Sequence, residues 1–173
     1  YNVVQPGTDS VDRLEQLNQW LANELALPAF EMEPASSDAS FRRYFRLVPR
    51  GRASGLFKTY SSLVVMDAPP DKENTQPFIH VASLLGEIGV NVPRLLEVNE
   101  TQGFLLLSDL GNVQYLEVLN EENVGRLYQD ALHALLLIQR DAPHGEGTVP
   151  PYDHALLLQE MSLFRDWYLK THL

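Results

Sequence analysis

The 173 residues carry 13 Lys and Arg against 23 Asp and Glu, a net charge of −10, and 45% of them are hydrophobic. This acidic balance argues against a general nucleic-acid or membrane-surface binder, since such a protein needs a basic face. The absence of cysteine excludes a disulfide framework and a cysteine-based metal site. No apolar run reaches the roughly 18 residues of a membrane span, so we expect a cytoplasmic protein of one or two domains.

The first 107 residues mix helix and strand patterns. Leucines at three- and four-residue spacing predict an amphipathic helix over 10–26, and a second apolar stripe predicts a helix over 74–89. Short or alternating apolar runs predict five strands between these helices and after them. The strands are expected within the stretches FEMEPASSDAS, FRRYFRLV, SLVVMDAPP, VPRLLEVNETQG and FLLLSDLG.

After Gly111 the pattern becomes helical. One helix is predicted over 121–140, and a last helix begins after Asp153, which can cap it. The whole pattern indicates an α+β fold, in which a small, mainly antiparallel sheet with two helices is followed by a helical part. The break near 107–111 divides the chain into residues 1–107 and residues 108–173.

The positive charge is concentrated in one window. Residues 39–66 contain no Asp or Glu, and the window carries a charge of +6, which leaves −16 on the rest of the chain. Such a patch can focus an electrostatic potential on an anionic ligand, although a solvated basic hairpin has the same composition. The six cations are Arg42, Arg43, Arg46, Arg50, Arg52 and Lys58.

Three strings, SSDASFRRYFRL, LVVMDAPP and FLLLSDLG, follow one another in the order of a protein-kinase-like amino lobe. Together they resemble the aminoglycoside phosphotransferase superfamily, and within it the bacterial anomeric sugar kinases. The resemblance covers residues 10–173. It implies a nucleotide-binding amino lobe over 1–107, with a five-stranded antiparallel sheet. Residues 108–173 would be the hinge and the first helices of an incomplete α-helical substrate lobe.

The resemblance also implies an activity. A protein of this kind transfers a phosphoryl group from ATP, with Mg²⁺, to a hydroxyl of an amino sugar such as N-acetylmuramate or N-acetylglucosamine. Its partners would then be a nucleotide and a small sugar, with no nucleic acid and no membrane. Two alternatives stay open: a kinase for another acceptor, either an aminoglycoside or a choline-like compound, and a kinase-like module that binds without catalysis.

The turn between the first two strands is implied to cover the nucleotide phosphates. Small residues let backbone N–H groups approach phosphate oxygens, and serine hydroxyls add donors. Asp38 would repel phosphate, so we expect it to bond its own backbone instead. The turn is predicted to consist of Ser36, Ser37, Asp38, Ala39 and Ser40.

Protein kinases hold the phosphates with a lysine on the third strand. This sequence has Met66 at that position, which the resemblance places in the nucleotide site. A methionine there would equally be explained by packing in the hydrophobic core. The resemblance therefore implies one of two arrangements. Either an arginine takes the phosphate-holding role, with Arg43 as the first candidate and Arg46 as the second, or phosphate binding rests on the loop and the metal. The helix glutamate that pairs with such a cation is left open between Glu73 and Glu87.

The strand that enters the hinge is implied to bind adenine. Backbone groups there bond the edge of the base, while apolar side chains sandwich the ring. A plain strand-to-loop boundary would look the same in sequence. The positions concerned are Leu107, Ser108, Asp109 and Leu110.

The catalytic Asp and the metal ligands of such kinases are expected beyond Leu173, so we expect this chain alone to transfer no phosphate. The string HGEG at 144–147 follows the first helix of the carboxy lobe too early and is interpreted as a turn. His133 and His154 lack a partner at metal-ligand spacing and are interpreted as packing or surface residues.

Overall fold

A computed structural model describes residues 8–37, 40–143 and 149–172. These residues form two compact units, one ending at Asp141 and one beginning at Ala142. The helices are α1 (Thr8–Gln19), α2 (Gln76–Glu87), α3 (Tyr115–Val118), α4 (Val124–Asp141), α5 (His154–Leu163) and α6 (Lys170–His172). The strands are β1 (Phe30–Ser37), β2 (Arg43–Pro49), β3 (Leu63–Asp67), β4 (Leu95–Asn99) and β5 (Phe104–Ser108).

The five strands form one sheet in the order β1-β2-β3-β5-β4, and every neighbouring pair is antiparallel. The predicted five-stranded antiparallel sheet is therefore confirmed. The turn before β5 needs glycine, because Gly103 has φ of +70° and a Cβ there would lie 1.9 Å from the Ala68 carbonyl oxygen. The Ala68 N–H donates to the Gly103 carbonyl at 2.8 Å, which ties the end of β3 to this turn.

One face of the sheet packs against α1. Successive side chains of a strand point to opposite faces, so Leu63 and Val65 of β3 share this face. Both are fully buried, as are Leu17 and Leu21 from the helical segment. The cluster consists of Leu17, Trp20, Leu21, Leu47, Phe57, Leu63, Val65, Phe104 and Leu106.

The opposite face packs against α2 and is less completely buried. Met66 and Leu105 are fully buried here, with Phe78 and Ile79 of α2 partly buried against them. Val64, next to the fully buried Val65, keeps partial exposure on this face. We call the two sides of the sheet the α1 face and the α2 face.

The helices lie close to their predicted positions. α1 continues as a π-type turn over Trp20–Glu24, so helical structure covers 8–24 where the sequence predicts 10–26. α4 begins at Val124 and not at 121, because the Asn120 side chain accepts from the Glu122 and Asn123 N–H groups and holds a turn first. The sequence did not predict the 3₁₀ helix Gly55–Lys58 or the short α3.

The second unit is helical. The Asp153 carboxylate accepts from the Leu156 N–H at 2.9 Å, as the predicted cap requires. α5 passes into a π-type segment over Phe164–Leu169, and Phe164 stacks on Tyr168 with 5.3 Å between ring centroids. No helix within the described residues is both long enough and apolar enough to cross a membrane.

Candidate functional site

A cavity of about 230 Å³ lies on the α2 face, where β5 ends. It is smaller than the roughly 300–1,000 Å³ of a pocket for a drug-sized ligand, so its size suits a flat ring better than a whole nucleotide. Residues of β2, β3, α2 and the segment after β5 form its walls. The lining residues are Ala35, Tyr44, Arg46, Val64, Phe78, Pro93, Leu107, Ser108, Asp109, Leu110 and Gly111.

The cavity brings together all four of the predicted hinge residues. Leu107 and Ser108 end β5, and Asp109 and Leu110 follow it directly. Ser108 is held in place by two bonds to Arg94: its N–H donates to the Arg94 carbonyl at 2.9 Å, and its hydroxyl accepts from the Arg94 N–H at 2.8 Å. The position of the segment that leaves the sheet is therefore fixed.

Two backbone groups of this segment are not engaged by other described residues. Within the described part of the chain, no hydrogen bond uses the Asp109 carbonyl or the Leu110 N–H. Both groups belong to one trans peptide unit and point in opposite directions, so only one of them can face the edge of a base bound in the cavity. Leu110 is 56% exposed, which leaves an apolar side chain beside these two groups.

Asp109 is anchored by the second predicted arginine. The Arg46 guanidinium donates to its carboxylate through Nε at 2.6 Å and Nη2 at 3.3 Å, across 63 residues of sequence. The Ser62 hydroxyl donates to the same carboxylate at 2.7 Å, and the Gly111 N–H does so at 2.8 Å. The Arg46 bond lowers the pKa of Asp109 to about 2, against the opposing effect of burial. The network keeps Asp109 ionised and ties the segment after β5 to β2.

Arg43, the first arginine predicted to hold phosphate, lies on the opposite face of the sheet from the cavity. Arg43 lies on the α1 face with Phe45, and its Nη2 donates to the Asp67 carboxylate at 2.5 Å. Arg13 of α1 donates to the other oxygen of Asp67 at 2.7 Å and also to the Gln102 carbonyl. The Asp67 side chain is fully buried between these two guanidinium groups. The structure thus places Arg43 outside the group of residues that line the cavity.

The predicted turn is described only in part. Ser36 and Ser37 belong to β1, pairing with Tyr44 and Arg43, so the chain reverses later than predicted. Asp38 and Ala39 lie outside the described residues. The Ser40 hydroxyl accepts from the Arg42 N–H at 3.2 Å. The phosphate-binding role of the turn therefore stays a prediction.

Glu73 binds the two residues that follow the turn, Phe41 and Arg42. Its carboxylate accepts from the Phe41 N–H at 3.1 Å and from Arg42 Nε, also at 3.1 Å. Glu87, the other candidate for a paired helix glutamate, is the last residue of α2. Sequence reasoning left Glu73 undecided and did not single out Arg42, because a contact across 31 residues has no signature in local spacing.

Met66 is fully buried on the α2 face, packed with Leu105 and Leu107. It stands opposite Tyr44 of β2 and brings no charge to this face. Among the described residues, no group of three or more His, Asp or Glu side chains could hold a metal ion. The string at 144–147 lies outside the described residues, His133 is exposed on α4, and His154 begins α5.

The comparison with protein families decides the classification. The family described as "Phosphotransferase enzyme family" matches residues 31–171 of the chain. The chain belongs to this phosphotransferase family. The match covers both the sheet with its cavity and the helices that follow, and it confirms the resemblance seen in the three sequence strings.

Three relatives of the phosphotransferase chain carry the same name, N-acetylmuramate/N-acetylglucosamine kinase. The one from Pseudomonas aeruginosa is 47% identical over 171 residues, which is 93% of this chain and 47% of the relative. The one from Pseudomonas putida is 42% identical, and the match again covers 93% of this chain and 47% of the relative. The one from Neisseria meningitidis is 33% identical, and the match covers 94% of this chain and 46% of the relative. The chain thus spans about half the length of the curated relatives it matches.

Proposed function

We propose that the chain forms the nucleotide-binding part of a kinase that transfers the γ-phosphoryl group of ATP to a hydroxyl of N-acetylmuramate or N-acetylglucosamine. The observation that carries the proposal is 47% identity, over 93% of the chain, to a kinase of that name. The cavity at the end of β5 supports the nucleotide half of the proposal.

The adenine ring is proposed to enter the cavity over Val64 and Leu107, which are cross-strand neighbours and form one apolar surface on the α2 face. Either the Asp109 carbonyl or the Leu110 N–H, which point in opposite directions, would bond its edge. Burial of a flat apolar ring and one backbone hydrogen bond together favour a purine base. The Arg46–Asp109 ion pair contributes by keeping the hinge backbone in one position.

Nucleotide binding and sugar binding are proposed to belong to different predicted domains. We propose that residues 1–107 and the hinge that follows them bind the nucleotide, and that the helices after the hinge begin the lobe that binds the sugar. Mg²⁺, when bound with ATP, would neutralise charge that develops on the phosphates. The ion's protein ligands and the group that takes the hydroxyl proton are proposed to lie in the half of the relatives that the chain does not match.

The test separates binding from turnover. Isothermal titration of the 173-residue chain with adenosine and with ATP should show that both bind. A coupled ADP-release assay of the same chain with N-acetylmuramate should show no sugar-dependent turnover. Absence of any nucleotide binding would contradict the proposed site, and sugar-dependent turnover would contradict the proposed division of labour.

The uncharged Met66 favours a second candidate, a kinase-like module that binds nucleotide without phosphoryl transfer. Full burial of this side chain leaves no lysine-like cation on the α2 face of β3. The two candidates differ in a protein of the relatives' full length. ADP release that depends on an amino sugar supports the kinase, whereas ATP binding with no acceptor-dependent release supports the module.

A further inference from the structure

A kinase site needs a cation near the nucleotide phosphates, and β3 does not provide one on the α2 face. Met66 is buried among apolar side chains, and Arg43 pairs with Asp67 on the α1 face. Arg46 lies on the α2 face, but two of its nitrogens are bonded to Asp109 at the hinge. The remaining arginine of the FRRYFR stretch is Arg42.

Arg42 is placed further from the hinge than Arg46, in the direction of the turn. Arg42 directly precedes β2, and its side chain lies beside that of Tyr44, which lines the cavity together with Arg46. At about 3.3 Å per residue, Arg42 lies about 13 Å further along than Arg46. This distance leaves room for the sugar and the phosphates of a nucleotide whose base lies at Asp109 and whose phosphate tail runs along β2 toward Arg42.

The guanidinium of Arg42 is held on this side by its neighbours. Nε donates to Glu73 at 3.1 Å, while the backbone N–H of the same residue donates to the Ser40 hydroxyl. Burial by itself lowers the pKa of Arg42, but the adjacent Tyr44 and Glu73 side chains raise it above the ordinary value. The side chain is 25% exposed, so solvent, and hence a ligand, can reach it.

Resting on the proposed nucleotide-binding function, we propose that Arg42, positioned by Glu73, contacts the phosphate groups of the nucleotide in place of a lysine on β3. The Glu73 bond uses Nε, and a guanidinium has further N–H donors that suit phosphate oxygens. Because Glu73 also accepts from the Phe41 N–H, one carboxylate orients both the arginine and the backbone next to the turn.

The experiment compares ATP with adenosine, which lacks phosphates, on the same protein. Isothermal titration with Arg42→Gln should show ATP binding weakened about tenfold or more, the effect of losing a charged hydrogen bond. Adenosine should bind with less than a twofold change. Arg42→Lys should recover part of the ATP affinity, because it retains the charge.

The matched control is Arg50→Gln. Arg50 belongs to the same basic window but is 65% exposed and paired with the exposed Glu31, so its replacement should leave both affinities unchanged. Glu73→Gln should weaken ATP binding less than Arg42→Gln, and the double variant should resemble Arg42→Gln alone, since Glu73 acts through the arginine.

The outcomes distinguish this inference from the proposed function. If Arg42→Gln binds ATP as tightly as the unchanged chain, or loses ATP and adenosine equally, the role of Arg42 is contradicted while the nucleotide site stands. If the unchanged chain binds neither ligand, the proposed function itself is contradicted, and the role of Arg42 with it.

Discussion

The two faces of the sheet are formed by the same strands but have different character. On the α1 face, Leu63, Val65 and Leu106 are completely buried, and a buried carboxylate holds two arginines. On the α2 face, Val64 is only partly buried beside a cavity, and the Arg46–Asp109 ion pair is part of the cavity lining. Alternation along each strand assigns neighbouring residues to these two environments.

The difference indicates where stability and binding are located. Tight packing of apolar side chains on the α1 face accounts for most of the burial in the sheet, and it keeps the strands in position. The α2 face is left open at one end, where exposed backbone groups and fixed charges can meet a ligand. Substitutions on the α1 face should therefore affect the free energy of unfolding, and those near the cavity should affect ligand binding.

The largest effect is expected for Asp67→Ala. Loss of this carboxylate leaves the guanidinium groups of Arg13 and Arg43 without their buried partner, which should lower the free energy of unfolding by about 3 kcal/mol. Urea denaturation followed by circular dichroism measures this loss. A change below about 1 kcal/mol would contradict the assignment of the α1 face to stability.

Val64 and Val65 provide the sharpest pairwise comparison. Val65→Ala should lower the free energy of unfolding by about 2 kcal/mol, since it removes two fully buried methyl groups, with little effect on adenosine affinity. Val64→Ala should cost less stability and should weaken adenosine binding severalfold. Denaturation and titration of both variants give the two quantities, and equal effects from the two substitutions would remove the distinction between the faces.

Asp109→Asn should lower the free energy of unfolding by about 1–2 kcal/mol at neutral pH. The pKa of Asp109 in the folded chain is depressed to about 2, so its contribution is complete above the unfolded pKa near 4 and is lost as the pH falls through 2. The difference between the two proteins should therefore shrink between pH 4 and pH 2. A difference that does not depend on pH in this range would exclude the Arg46–Asp109 ion pair as its cause.

The smallest effect is expected for Glu31→Gln. Glu31 pairs with Arg50 at 3.0 Å, but both side chains are more than 60% exposed, so solvent screens the interaction. The free energy of unfolding should change by less than about 0.5 kcal/mol, as measured by the same denaturation. A loss comparable with that of Asp67→Ala would show that ion pairs outside the sheet core contribute as much as the buried one.

Local patterns were sufficient to predict the five strands and the longer helices. The apolar run of β5, the alternation in FRRYFRLV and the helix stripes each depend on neighbouring residues, and the strands appear where these patterns predict them. The hinge segment after Leu107 was likewise predicted from a strand that ends before a glycine, and the structure places it at the cavity.

Long-range partners could not be predicted in the same way. The choice between Arg43 and Arg46 depends on which face of β2 meets α2, and a single strand pattern does not contain that information. Arg13 contacts Asp67 across 54 residues of sequence, and Glu73 contacts Arg42 across 31. Neither contact can be recognised from the spacing of neighbouring residues in the sequence. The folded sheet was needed to assign the three arginines to different partners.

Methyl NMR of the chain, with Val and Leu methyl groups labelled, tests the location of the nucleotide most directly. Addition of adenosine should shift the methyl signals of Val64 and Leu107, which line the cavity, and leave those of Val65 and Leu106 on the α1 face nearly unchanged. Shifts confined to the α1 face, or no shifts at saturating adenosine, would contradict the assignment of the nucleotide to the α2 face.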